Sequence, residues 1–246
     1  MIEFKWVGLN AILRDKKDSL LLKQISQGWT MEITRAGQLD IERILQSNTT
    51  FLMANAFDLL SVATLKEFDI PIFLDLKLHD IPATVYKTIT TLLTLEPAII
   101  NVHASGGKEM MMAAAKALKD SGNKTTKIIA VTILTSLDDE DLFELGFSEP
   151  SKDLVLKLAK LAQESGLDGV VCSAQEISLI RENINNDFML VVPGIRLKED
   201  NVDDQKRIMT PKEAISLGAD LLVIGRPITK AKDQILASKK ILEQLK

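Results

Sequence analysis

Residues 73–82 read Phe-Leu-Asp-Leu-Lys-Leu-His-Asp-Ile-Pro, an apolar run that breaks into three charges within six residues. The approach over residues 69–74 is apolar and β-prone, which is typical of a buried parallel strand. Asp75 and Lys77 are two positions apart, so on a strand they share one face. The turn that follows can bring Asp80 back towards them, and an ammonium group between two carboxylates stays charged. Such a costly arrangement indicates a functional site, although an ion network that only supports the strand end would give the same pattern.

Strands and helices alternate along the chain on both sides of this stretch. Further strands are predicted over residues 97–103, 127–134, 168–172, 188–192 and 220–224, with helices over 57–68, 83–95, 108–121, 138–145, 152–165, 174–182, 211–217 and 228–245. This alternation with short turns predicts a parallel sheet. The strand that carries Asp75 and those after it make six. Two more, assigned to residues 3–11 and 49–54, complete an α/β fold of the (β/α)8 TIM barrel type.

Composition agrees with one barrel domain over residues 1–246, because about 250 residues are typical of that fold. The chain is 46% hydrophobic with a net charge of −4, and it has no basic block that would indicate nucleic acid binding. No apolar run approaches the ~18 residues of a membrane span, and the N-terminus lacks the plan of a signal peptide. Cys172 is the single cysteine, which excludes an internal disulfide and fits a cytoplasmic location.

The predicted barrel places catalytic groups at the carboxyl ends of its strands. Arg196 ends the strand at 188–192, and Gly225 and Arg226 follow the last strand. Barrels often bind phosphate there, because glycine allows close backbone approach and arginine gives a bidentate contact. A tight turn with a solvated arginine is the alternative. The polar loop at 197–207 is either a lid over this site or an ordinary solvated loop.

Other polar residues at strand ends have structural alternatives too. Thr135 and Ser136 end the strand at 127–134, and Ser136 could cap the acidic helix that follows. His79 and His103 lack a second ligand at metal spacing, so we interpret both as hydrogen-bonded structural histidines. Cys172 lies on an apolar strand, where core packing is the expected role.

The eight residues Asp-Leu-Lys-Leu-His-Asp-Ile-Pro at 75–82 resemble the bacterial orotidine 5'-phosphate decarboxylases. The stretches at 131–136 (Val-Thr-Ile-Leu-Thr-Ser), 193–196 (Pro-Gly-Ile-Arg), 204–207 (Asp-Gln-Lys-Arg) and 225–229 (Gly-Arg-Pro-Ile-Thr) also resemble that family. The resemblance runs from about residue 65 to the end of the chain. It implies a (β/α)8 barrel that decarboxylates orotidine 5'-monophosphate (OMP) to uridine 5'-monophosphate (UMP) in pyrimidine biosynthesis, with neither cofactor nor metal.

The resemblance also implies roles for individual residues. Lys77 would stabilise the developing carbanion and protonate it, and Asp75 would hold Lys77 beside the departing carboxylate. Asp80 would reach the site from the neighbouring subunit of a homodimer. The implied substrate-binding residues are Ile81, Thr84, Thr135, Ser136, Arg196, Gln205, Gly225 and Arg226, of which Arg196, Gln205, Gly225 and Arg226 lie at the phosphate.

Residues 1–56 match the family poorly. The family's first strand ends in an aspartate near the ribose, where this chain offers Asn10, and its second carries a lysine, where this chain offers Met53. Either this segment has diverged, or its sequence does not represent a functional reading frame. The departures suggest impaired catalysis with phosphate binding preserved. An impaired homologue that binds nucleotide without turnover is therefore one alternative to the decarboxylase. A metal-dependent 3-keto-gulonate 6-phosphate decarboxylase is a second alternative, because those enzymes share the Asp-x-Lys-x-x-Asp pattern at 75–80.

Overall fold

The protein, as a computed structural model, is described over five stretches of its chain. Residues 6–8 and 51–54 are described by their backbone, and residues 71–196, 209–229 and 231–245 with their side chains. The helix predicted over 57–68 lies outside these ranges, as does the polar loop predicted at 197–207.

Eight parallel strands follow one another around a single sheet in chain order. Their bounds are β1 Trp6–Gly8, β2 Phe51–Ala54, β3 Ile72–Leu78, β4 Ile99–His103, β5 Lys127–Val131, β6 Gly169–Val171, β7 Met189–Pro193 and β8 Leu221–Val223. Each strand pairs with the next, and β1 also lies against β8. The sheet therefore closes into the predicted barrel, with both strands that were assigned to the first 56 residues.

Helices fill the connections between the strands. They are α1 Pro82–Leu92, α2 Lys108–Ser121, α3 Asp139–Glu144, α4 Ser151–Glu164, α5 Ile177–Asn183, α6 Pro211–Ser216, α7 Arg226–Thr229 and α8 Gln234–Glu243, with short 3-10 turns at Leu93–Leu95 and Ala104–Gly106. The prediction of one closing helix over 228–245 is wrong, because this stretch contains two helices, α7 and α8. Asp233 is the N-cap of α8, and its carboxylate accepts a hydrogen bond from Leu236 N at 2.9 Å. None of the helices in the described ranges is long and apolar enough to cross a membrane.

The core has an inner and an outer part, because successive side chains of a strand point to opposite faces. The inner part is one cluster of residues from five strands: Phe73, Ile99, Ile129, Val191 and Leu221. The alternate residues, such as Leu74 and Ile100, belong to the larger cluster between strands and helices. Asp75 shares the inner face of β3 with Phe73, and Asn101 shares that of β4 with Ile99. Both polar groups therefore lie directly above the inner apolar cluster.

Two aspartates at the amino ends of the strands each accept hydrogen bonds that link neighbouring strands. Asp168, just before β6, accepts hydrogen bonds from Lys127 Nζ at 2.8 Å and from Ile128 N at 2.9 Å. Asp220, just before β8, accepts from Arg181 Nη2 at 2.6 Å and from a backbone N–H of β7 at 2.7 Å. Polar groups at this end therefore hold neighbouring strands together, which leaves the opposite end for chemistry.

Candidate active site

Asp75 and Lys77 form an ion pair near the carboxyl end of β3. Lys77 Nζ lies 2.6 Å from both carboxylate oxygens of Asp75. The Asp75 side chain is 7% exposed and that of Lys77 is 38% exposed. The pair thus consists of a buried anion and a cation that reaches the opening of the barrel. The structure brings the two residues together as their spacing predicted.

The backbone at Lys77 is unusual, and Asn101 of β4 supports it. Lys77 has φ of 49°, and the pairing of β3 with β4 shifts register between Leu74 and Leu78. Lys77 N donates to Asn101 Oδ1 at 2.8 Å, while Asn101 Nδ2 donates to Asp75 Oδ1 at 2.6 Å. Asn101 has no exposed surface. Sequence reasoning missed this residue, although a lone amide inside the strand Ile-Ile-Asn-Val-His was a usable signal.

Two histidines lie against each other beside the pair. The rings of His79 and His103 have centroids 5.5 Å apart and are tilted by 39°. Burial, followed by the charges of His79 and Lys77, holds the pKa of His103 below its usual value, and Asp75 opposes these effects. His103 is therefore neutral around pH 7, and its ring packs against the turn that follows β3.

Asp80 does not join the ion pair within its own chain, contrary to the expectation that the turn folds it back. It is exposed, and Asp80 Oδ1 accepts a hydrogen bond from Ile81 N at 2.6 Å. The side chain of Ile81 is 66% exposed, and Thr84 in the first turn of α1 is also exposed. In the part of the chain that the structure describes, Lys77 thus has one carboxylate partner, Asp75.

Two arginines follow adjacent strands at the same end of the barrel. Arg196 comes three residues after β7, and Arg226 follows Gly225 after β8; both are partly buried. Arg196 N donates to Met209 O at 3.2 Å, so the residues on either side of 197–208 lie together. A Cβ added to Gly225 would meet no atom of the described residues within 4 Å, so these residues leave its backbone open to approach. Gln205 lies outside the described residues.

Thr135 and Ser136 lie in an exposed turn, because β5 ends at Val131 and not at Leu134. Ser136 is not the cap of the acidic helix α3, so that alternative is wrong. Asp138 takes the role, and its Oδ1 accepts hydrogen bonds from Glu140 N at 3.0 Å and Asp141 N at 3.1 Å.

Cys172 is 1% exposed, and burial raises the pKa of its thiol, so it remains protonated and packs in the core as predicted. Met53 lies in β2 with its backbone paired to Phe73. Its side chain, like Asn10, lies outside what the structure describes.

The fold and this end of the barrel define a class of enzyme: barrels with a lysine–aspartate pair on the third strand and arginines after the last two. The family model described as "Orotidine 5'-phosphate decarboxylase / HUMPS family" matches residues 45–241. The chain belongs to this family.

Individual relatives agree with the family match. The orotidine 5'-phosphate decarboxylase of Pseudoalteromonas atlantica is 51% identical over 172 residues, which is 70% of this chain and 74% of the relative. That of Idiomarina loihiensis is 52% identical over 174 residues, 71% and 75% of the two chains. The crystal structure of the Lactobacillus acidophilus orotidine 5'-phosphate decarboxylase matches with a TM-score of 0.72 at 32% identity, covering 98% of this chain and 97% of that one.

Proposed function

We propose that this protein decarboxylates OMP to UMP and carbon dioxide in pyrimidine biosynthesis, with no metal or cofactor. One observation supports this most directly: a lysine ammonium 2.6 Å from both oxygens of a buried aspartate at the open end of a barrel of this family. Such a cation suits a reaction that develops negative charge on carbon and then needs a proton.

Lys77 has two tasks in the proposed reaction. When the bond between C6 of the pyrimidine and its carboxylate breaks, carbon dioxide leaves and the electron pair stays on C6. The ammonium of Lys77 lowers the energy of that carbanion, then gives it a proton to form the C6–H bond of UMP. Water returns a proton to Lys77. Since Lys77 is 38% exposed, its head group reaches both the substrate and solvent.

Asp75 acts on the substrate carboxylate and on Lys77. A buried aspartate beside the substrate's own carboxylate raises the energy of the bound ground state. That repulsion is relieved as the carboxylate becomes neutral carbon dioxide. The same aspartate holds Lys77 Nζ through both oxygens, which keeps the ammonium aimed at the substrate.

In this proposal the phosphate of the nucleotide binds on the side of the barrel opening opposite Lys77. Strands four apart in a closed eight-stranded barrel face each other, so β7 lies opposite β3. Arg196, Gly225 and Arg226 follow β7 and β8, with Gln205 in the intervening loop, and we assign the phosphate to them. A nucleotide then spans the opening. Its pyrimidine lies at Lys77, near Thr135 and Ser136, and Ile81 and Thr84 complete the substrate site.

We also propose that the active form is a cytoplasmic homodimer with shared sites. Asp80 is exposed and makes no contact with Lys77 of its own chain, and the neighbouring Ile81 is 66% exposed. A charged residue beside a large exposed apolar one suits a subunit interface. Asp80 then completes the charged array of the partner's site.

The decisive assay follows the loss of OMP absorbance with purified protein, with and without a chelator. Turnover that the chelator leaves unchanged supports the proposal. Loss of turnover that an added divalent metal restores would favour the metal-dependent alternative. Tight nucleotide binding with no turnover would favour the impaired homologue.

Arg226→Ala is expected to lower kcat/KM for OMP about 10- to 150-fold. A charged hydrogen bond to phosphate contributes about 1.5–3 kcal/mol, and about 1.4 kcal/mol is a factor of ten. Binding of the nucleoside orotidine, which lacks the phosphate, should change little. Lys232→Ala is the matched control, since it removes one exposed positive charge a few residues away. Equal losses for nucleotide and nucleoside would show that the phosphate binds elsewhere.

A further inference from the structure

We propose that Asn101 is a positioning residue of the decarboxylase site. Its side-chain amide binds the carboxylate of Asp75 and the backbone of Lys77 at once, and so fixes the two as one unit. This inference rests on the proposed function, since alignment for catalysis presupposes a reaction. The arrangement of the three residues is independent of which substrate binds.

Both ends of the Asn101 amide are used, and only one orientation of it fits. Nδ2 donates to Asp75 Oδ1 at 2.6 Å, and Oδ1 accepts from Lys77 N at 2.8 Å. A flipped amide would set its oxygen against a carboxylate and its N–H against another N–H. The amide therefore discriminates between a carboxylate and a backbone donor, and holds each in a defined place.

The backbone of Lys77 needs this support. Residue 77 has φ of 49°, a conformation that L-residues other than asparagine and aspartate rarely adopt. The register shift between Leu74 and Leu78 interrupts the pairing of β3 with β4 at this point. Asn101 Oδ1 accepts from the Lys77 N–H, in place of a β4 backbone carbonyl. Losing that acceptor would loosen the residue that carries the ammonium.

The carboxylate of Asp75 depends on the same amide. Asp75 is 7% exposed, and Asn101 has no exposed surface at all. The hydrogen bond from Nδ2 fixes the plane of the carboxylate, and Lys77 Nζ then lies at 2.6 Å from each oxygen. Rotation of that plane would draw the ammonium away from its position. Small displacements of this kind lower rates strongly, on the order of 10²-fold for about 1 Å.

Among the described residues, Asp75 and Lys77 of β3 hydrogen-bond to Asn101, and the apolar Ile129 of β5 is paired with it. His103 lies two residues farther along β4, where its ring contacts that of His79. A carboxyl at position 101 would therefore meet the carboxylate of Asp75 and the backbone N–H of Lys77. Two carboxyl groups at hydrogen-bond distance share a proton, and one of their pKa values is raised.

Asn101→Asp tests the proposal through the pH dependence of its activity. A protonated Asp at position 101 reproduces both hydrogen bonds, with O–H donating to Asp75 and C=O accepting from Lys77 N. An ionised one repels Asp75. The ratio of kcat in the variant to kcat in the native protein should approach one at acid pH. It should fall about tenfold per pH unit above the apparent pKa of the pair. The exposed Asn183→Asp is the matched control, with a ratio that is flat in pH.

Asn101→Leu removes both hydrogen bonds and keeps a side chain that branches at Cγ. We expect kcat to fall about 10²-fold at every pH, with KM for OMP nearly unchanged. A pH-independent ratio for Asn101→Asp, or a loss in the leucine variant that lies in KM alone, would overturn the proposal.

Failure of the proposed function is distinguishable from failure of this inference. If the native protein does not turn over OMP, the proposed function fails. The Lys77 ammonium signal in nitrogen NMR still tests Asn101. In Asn101→Asp that signal should titrate with the carboxyl pair, and a signal that stays constant would overturn the positioning role.

Discussion

Lys77→Ala is expected to lower kcat for OMP by at least about 10⁴-fold. A positioned general acid contributes about 10²–10⁴-fold, and electrostatic stabilisation of the developing charge contributes about 10²–10³-fold more. Both are lost with one ammonium group. The fold should persist, because the Lys77 side chain is 38% exposed and Asp75 keeps its hydrogen bond from Asn101. Single-turnover measurement of UMP formation gives the rate, and circular dichroism checks the fold.

Lys127→Ala is the matched control for this loss. Lys127 forms a similar ion pair, with Asp168 at 2.8 Å, but at the amino end of β5. Its removal should leave kcat within about threefold of the native value, since surface pairs contribute little. Comparable rates for Lys77→Ala and the native protein would contradict the assigned role. A similar fall in the Lys127 variant would point to general destabilisation.

Mixing inactive Lys77→Ala and Asp80→Ala subunits is expected to restore about a quarter of native activity. In the proposed dimer each site takes Lys77 from one subunit and Asp80 from the other. A mixed dimer therefore has one intact site and one that lacks both groups. Random exchange makes about half of the dimers mixed, each with one site of two. The measurement is OMP turnover after the two variants are co-expressed and all dimers are purified together through one affinity tag that both variants carry.

The control mixture pairs Lys77→Ala with Asp75→Ala subunits. Asp75 and Lys77 come from the same chain, 2.6 Å apart, so no mixed dimer regains a complete site. Activity in this mixture should stay at the level of the single variants. No recovery with the Asp80 mixture either, despite verified mixed dimers, would place Asp80 in its own subunit's site or outside the chemistry.

Most of the barrel could be predicted from the sequence, because its signals are local. α2 was predicted with its bounds at 108–121, since the chain has glycine immediately before and after this apolar-periodic helix. The start of α6 at residue 211 was also predicted, and the capping box of Thr210 and Glu213 confirms it. The closing helix was overextended, because its apolar pattern continues across the break that Asp233 makes. The limits of β3 depend on β4, so the sequence of β3 alone does not determine them.

The candidate site was predicted only in part, because sequence signals are local and some of its contacts join distant residues. The spacing of Asp75 and Lys77 follows from the period of a strand and needed nothing else. Asn101 is 26 residues from Asp75 along the chain, and only the register of β3 with β4 brings them together. The exposed position of Asp80 is likewise a property of the folded turn. Local sequence therefore identifies the charged groups, whereas the lone asparagine in the strand at 99–103 indicates a buried polar group without identifying its partners.

The left-handed backbone at Lys77 has a consequence for how this chain evolves. A lysine with φ of 49° is less stable there than glycine, by about 1 kcal/mol or more. Under selection for folding alone, we expect Lys77 to be replaced by glycine. The buried Asp75 and Asn101 are then expected to be replaced by apolar residues, which fill buried space at lower cost in free energy. All three are present. The strained backbone of Lys77 and the buried polar groups beside it therefore lower the stability of the fold, a cost that is expected where residues serve chemistry.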